Sequence, residues 1–186
     1  MTTWVLFAGP PGVGKSTLAR VLEKRLNDTL VEDTAVTLDK DVVRATLFPG
    51  ELTDYTQQQD DLCMRVILAA AAYLTAQESA AFVLLDGRTF SHDVQIERAI
   101  AAAEEAGARW RIVHVTCPDE VVEARFAAER SGSVPGGHAH PAQNRDIELY
   151  RKIKREFEPI RYPKVEVDST HPVERNLEII LRYLEE

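Results

Sequence analysis

The sequence predicts an α/β protein, a three-layer sandwich around a five-stranded parallel sheet. Three observations predict it. Short apolar runs alternate with segments of helical period, the pattern of successive βαβ units. Runs such as Trp4–Ala8 are apolar throughout, as in strands buried on both faces. Three of the five runs end at an aspartate (Asp39, Asp86 and Asp168), at the strand mouths where ligands of such sheets bind.

The first strand is Trp4–Ala8, which stops at Gly9. From Val13 the pattern turns helical, with Leu18, Val21, Leu22 and Leu26 at spacings of three and four. Ala35–Leu38 is the second strand, ended by Asp39. A short helix starts near Asp41 and ends before Phe48-Pro49-Gly50. Tyr55–Ala76 is a long helix with Leu62, Val66, Ala69, Ala70 and Tyr73 on one face. Ala81–Leu85 is the third strand, ended by Asp86, and helix Asp93–Ala106 closes at Gly107. Arg111–Thr116 is the fourth strand. Pro118 then opens a helix, where its missing N–H is harmless, and that helix runs to about Arg130. Ser131–Gln143 is rich in Gly, Pro and Ser and reads as a loop or lid. A basic helix covers Asn144–Glu158, Lys164–Val167 is the fifth strand, and the last helix starts at Pro172. Too little chain follows the lid for a second domain, so 1–186 reads as a single domain with a lid at about 125–145.

Composition narrows the function. Hydrophobic residues are 45% and charged residues 28% of the chain, which argues against long disorder, collagen and coiled coil. Chains of this size bury about 70% of their unfolded surface, so a real core is available. Lys plus Arg number 22 against 30 Asp plus Glu, a net charge of -8 that disfavours broad binding to a polyanion. Residues 145–164 are the local exception, with seven Lys/Arg against four Asp/Glu. Cys63 and Cys117 have no metal-type spacing and read as buried free thiols. The first residues lack a basic segment ahead of the apolar run, so they read as a strand and not a signal peptide. No apolar run approaches the roughly 18 residues that span a bilayer. The expected setting is the cytoplasm, away from membranes.

Three motifs carry chemistry. Gly9-Pro-Pro-Gly-Val-Gly-Lys-Ser-Thr17 satisfies G-x-x-x-x-G-K-[ST] between a strand and a helix. Such a loop curls its amides toward phosphate oxygens, and the helix adds its positive end. Gly9, Gly12, Val13, Gly14, Lys15, Ser16 and Thr17 are therefore the expected nucleoside-triphosphate site, with Ser16 placed to ligate Mg²⁺. The loop after the fifth strand, with Asp168 and Thr170, is expected beside the base; a helix N-cap before Pro172 is the bland reading, and both can hold. In Leu38–Arg44, Asp41 and Arg44 share a helix face. The carboxylate can accept a hydroxyl proton and the guanidinium can hold a substrate. The competing reading is a capping Asp with an ordinary i,i+3 ion pair. Phe82–Asp86 is a strand of Walker B type, so Asp86 is a candidate Mg²⁺ ligand and Arg88 a group at the same mouth. A simple strand end and turn is the alternative. Arg125 and Arg130, with His138, His140 and Arg145 beyond them, flank the Gly-rich stretch; arginines there can neutralise transferring charge. His138 and His140 read as loop histidines, with no third ligand near in sequence. Tyr55 and Gln58 are candidate polar contacts on the wall of an acceptor pocket.

GPPGVGKST, LDKDVVR, LLDGR and an Arg-flanked lid together resemble the small P-loop kinases. Adenylylsulfate kinase, with a motif of the form LDGDxVR, and the polynucleotide 5′-kinase domain are the nearest in pattern. Chloramphenicol phosphotransferase, zeta-toxin and seryl-tRNA(Sec) kinase are cousins. The resemblance implies a P-loop NTPase fold with strand order 2-3-1-4-5. It implies transfer of the ATP γ-phosphate to a hydroxyl with Mg²⁺ as cofactor. Lys15 would act on the phosphates, Asp41 as base, and Arg125 and Arg130 from the lid. Arg44 matches the substrate-binding arginine of polynucleotide kinase, and Tyr55, Gln58, Asp86 and Arg88 are the further acceptor contacts expected from the residues themselves. The downstream lid motif of adenylylsulfate kinases is absent. A small-molecule hydroxyl acceptor is the first expectation. A 5′-hydroxyl on nucleic acid and a non-catalytic nucleotide switch are the alternatives, and a homodimer stays open.

Overall fold

The central strand, β1 (Thr3–Ala8), is buried at all six residues, which is why its sequence shows no alternation. The computed structural model describes residues 1–29, 34–131 and 147–186. Around β1 lie β2 (Ala35–Asp39), β3 (Phe82–Asp86), β4 (Arg109–Thr116) and β5 (Val165–Asp168), all parallel, in the expected order 2-3-1-4-5. The helices are α1 (Lys15–Thr29), α2 (Lys40–Leu47), α3 (Gln57–Ala76), α4 (Asp93–Glu105), α5 (Asp119–Arg130), α6 (Ile147–Glu156) and α7 (Val173–Glu185).

Alternate residues of β1 feed two separate cores. Val5 and Phe7 pack with Leu18 and Leu22 of α1, Phe126 of α5, Tyr150 of α6 and Ile180 of α7. Trp4, Leu6 and Ala8 pack on the other face with Met64 and Ile67 of α3 and Ile96 and Ala99 of α4. The Trp4 indole N–H is satisfied by Thr75 Oγ1 at 2.9 Å. Leu22 is fully buried in the first core. Leu22→Ala is expected to destabilise the fold by about 2–5 kcal/mol in chemical denaturation, through lost transfer energy and the cavity left behind.

One expectation for α3 needs correction. The helix starts at Gln57, two residues later than the periodicity suggests. Tyr55 adopts φ +53° and Thr56 is the N-cap, its hydroxyl accepting from Gln59 N–H. Which apolar face meets the sheet is settled by the packing. Leu62, Val66 and Tyr73 do share a face, but that face is exposed, and Cys63, Met64, Ile67 and Ala71 are buried instead. An Ala-rich helix is apolar nearly all round, so spacing does not say which stripe meets the sheet. Cys63 is buried, whereas Cys117 is only partly so; both are free. Among the described residues, no helix is long and apolar enough to cross a membrane.

Candidate active site

Parallel strands deliver Gly9, Asp39 and Asp86 to one edge of the sheet, and a cleft of about 820 Å³ opens there. One end of it is the loop between β1 and α1. Gly9 sits at φ +141°, and a Cβ there would lie 2.4 Å from the Val115 carbonyl oxygen of β4. Gly9→Ala is therefore expected to cost at least about 1–3 kcal/mol in unfolding experiments, because backbone and not a side chain would have to yield. Gly12, Gly14, Lys15, Ser16 and Thr17 line the cleft. Val13 is buried in the core and anchors the loop from beneath. Lys15 Nζ donates to the carbonyls of Gly9 and Pro10, both at 2.8 Å, which holds the ammonium inside the loop's curl.

Beyond that loop the cleft is bounded by Arg125 and the turn between β5 and α7. Arg125 Nη1 donates to Gly12 O (3.2 Å) and Ser169 Oγ (3.0 Å), and Nη2 to Ser169 O (3.2 Å). Arg125 thus ties the phosphate loop to that turn. Asp168 and Thr170 hold each other, since Asp168 Oδ1 accepts from Thr170 N–H and Oγ1. Their neighbours Ser169 and His171 are the residues that line the cleft. Arg130 is exposed at the end of α5. Ser133–Gln143, His138, His140 and Arg145 lie outside the described residues.

The opposite end of the cleft is built by α2 packing on α3. Asp39 caps α2, its Oδ1 accepting from the N–H groups of Asp41 (2.7 Å) and Val42 (3.4 Å). That cap aims Asp41 and Arg44 into the cleft. Arg44 Nη1 donates to Asp41 Oδ1 at 2.8 Å, its Nη2 pairs with Asp60, and its guanidinium lies 5.2 Å from the Tyr55 ring centroid. Lys40 donates to Asp60 Oδ2 at 2.9 Å, and Arg88 Nη2 donates to Asp61 Oδ1 at 3.0 Å. Arg44 is 4%, Lys40 7% and Arg88 8% exposed. Burial pushes the Lys40 ammonium down to about 8, with Arg44 and Arg88 adding repulsion and Asp41 opposing it. Gln57 and not Gln58 faces the cleft, together with Tyr55.

Asp39 and Asp86 face each other at the ends of neighbouring strands. Burial, then the Asp86 charge, raises the Asp39 carboxyl. Asp86 is 2% exposed, and its Oδ1 has no hydrogen-bond partner among the described residues. An orphaned buried carboxylate oxygen beside a second carboxylate is the environment a hard divalent cation or its bound water satisfies. The donor set fits Mg²⁺. Gly87 completes this corner, because a Cβ there would stand 2.9 Å from Asp39 Oδ1.

A family model described as AAA domain matches residues 5–153, a span that includes the phosphate loop, the α2 pair and β3. The chain belongs to that family. A search of curated proteins finds no match. Solved structures share the fold at low identity. An APS kinase from Mycobacterium tuberculosis, solved with AMPPNP and APS, aligns with TM-score 0.68 and 16% identity over 100% of this chain and 98% of its own. A sugar kinase from Janibacter sp. gives 0.64 and 18% over 100% and 95%. The tunicamycin resistance protein of Deinococcus radiodurans gives 0.64 and 17% over 99% and 96%.

Within this AAA-domain chain, sequence reasoning missed Lys40, Asp60 and Asp61. Lys40 directly follows the capping Asp39, and the two carboxylates occupy the first turns of α3, where helices commonly carry acids. Only the packing of α2 on α3 turns them into one charged cluster. The basic segment is also less free than its composition suggests. Arg151 pairs with Glu123 at 2.5 Å, Lys154 with Asp119, and Arg161 with Asp93 at 3.7 Å.

Proposed function

We propose that the chain is a kinase that transfers the γ-phosphate of ATP, with Mg²⁺, to a hydroxyl of a small-molecule acceptor. The observation that carries this reading is one cleft lined at one end by Lys15, Ser16 and Thr17 and at the other by Asp41 and Arg44. A phosphate-binding loop alone serves switches as well as kinases. A half-buried carboxylate oriented by a buried arginine in the same cleft suits proton removal from an acceptor.

In this mechanism the loop amides and Lys15 hold the β- and γ-phosphates. Ser16 and Asp86 would hold Mg²⁺, which when bound offsets phosphate charge. Arg44 orients Asp41, and Asp41 takes the proton as the acceptor oxygen bonds to the γ-phosphorus. The bond from that phosphorus to the β,γ-bridging oxygen breaks, and ADP leaves with that electron pair. Arg125 keeps the phosphate loop fixed against the β5–α7 turn, so the phosphates meet a preorganised cradle. Pairing of Arg151, Lys154 and Arg161 with acids reduces the positive charge this segment offers to a nucleic acid, which favours a small acceptor.

The test is ADP formation with MgATP across sugars, sugar acids, adenylylsulfate, amino-acid and antibiotic hydroxyls and 5′-hydroxyl oligonucleotides. Stimulation by a small molecule is expected. Stimulation by oligonucleotides alone would reject the small-molecule acceptor.

A further inference from the structure

A second cavity, of about 360 Å³, lies between α3 and α4, and Arg88 and Gln95 line both it and the main cleft. Its charged walls are Arg65, Arg88, Arg98 and Asp61, a surplus of cations, above an apolar floor that includes Met64 and Leu68. The acceptor end of the main cleft differs. There the cations Lys40 and Arg44 are matched by the carboxylates Asp41 and Asp60. In the side cavity, Asp61 is already bonded to Arg88, and among the described residues Arg65 and Arg98 form no ion pair. Gln95 Oε1 accepts the Ser91 N–H at 3.0 Å, which leaves its amide nitrogen to donate. Arg88 is buried and fixed by Asp61 at the wall between the two spaces. The cavity therefore offers several N–H donors in fork geometry and no uncommitted carboxylate, the composition that suits a phosphate, sulfate or carboxylate group.

We infer that this side cavity is a subsite for an anionic group carried by the acceptor, gripped by Arg65, Arg88 and Arg98, so that the substrate is an anionic small molecule. The inference rests on the kinase reading for the word substrate, but the anion site stands on its own geometry. Arg88 fixes the distance between the two functions. The acceptor hydroxyl lies toward Asp41, and its charged group lies on the far side of Arg88.

The experiment uses the full chain saturated with Mg²⁺ and a non-hydrolysable ATP analogue, so that the phosphate loop is filled. Inorganic sulfate is then titrated into wild type, Arg65→Gln and Arg98→Gln. Both arginines are exposed at the rim, so both variants are expected to fold and to keep wild-type affinity for the analogue. Sulfate binding weaker by about ten-fold or more in each variant is expected. Equal sulfate affinity in wild type and both variants would overturn the subsite. A second arm compares acceptors that differ in one charged group, such as gluconate with glucose or a nucleoside 3′-phosphate with the nucleoside. The charged member is expected to have the lower KM, and Arg98→Gln to narrow the gap. A neutral member that is preferred by wild type would overturn the anionic substrate. Arginine-dependent sulfate binding without phosphorylation of any acceptor would support the subsite and reject the kinase reading instead.

Discussion

Asp41→Asn is expected to lower kcat by about 10²–10⁴-fold while leaving the affinity for a non-hydrolysable ATP analogue unchanged. Asn has the shape of Asp and can still meet Arg44 Nη1, which now lies 2.8 Å from Asp41 Oδ1. What it cannot do is take the acceptor proton. Breaking a buried ion pair often costs about 3–5 kcal/mol because the surviving charge is stranded. Here Arg44 keeps Asp60 as a second carboxylate, so the variant should fold. The phosphate loop belongs to the β1–α1 connection and makes none of these contacts, so analogue binding is an internal control. Turnover and analogue affinity measured side by side check this. A kcat within about two-fold of wild type would remove Asp41 from the role of base.

Lys15→Ala is expected to lower kcat by about 10²–10³-fold and to weaken nucleotide binding as well, unlike Asp41→Asn. Lys15 opens α1 and is buried, with its ammonium 2.8 Å from two carbonyls of its own loop. The stem is thereby held where a phosphate oxygen can exchange for those carbonyls. Ala removes the charge and also unfastens the loop, so ground state and transition state both suffer. Lys15→Arg should not rescue turnover, because a planar fork on a longer stem does not fit a socket shaped for a compact ammonium. Nucleotide titration with steady-state rates on both variants is the check. Wild-type affinity in Lys15→Ala would place the nucleotide elsewhere.

Much of this architecture is legible in the chain, for physical reasons that differ by element. β1 and its loop were readable because an unbroken apolar run meets glycines at a spacing few other structures need. The Asp41–Arg44 pair was readable because three residues separate neighbours on one helix face. The buried face of α3 was not, because Leu62, Val66 and Tyr73 look as hydrophobic as the residues that do pack. The helix start at Gln57 carried an overlooked signal, the pairing of Thr56 with Gln59. Lys40, Asp60 and Asp61 acquire meaning only when α2 lies on α3, and nothing local encodes that contact. Arg125 was expected on a closing lid, and its sequence neighbourhood holds no hint of Ser169, 44 residues away, as its partner.

A kinase moves the γ-phosphate to an acceptor hydroxyl and not to water. The most direct measurement is the fate of that phosphate, followed with γ-labelled ATP, Mg²⁺ and anionic small molecules, with the products resolved by mass. The expected result is label in a phosphate ester of the acceptor, formed in step with ADP and abolished by Asp41→Asn. Label found only as inorganic phosphate, at a rate no acceptor changes and Asp41→Asn leaves intact, would contradict it.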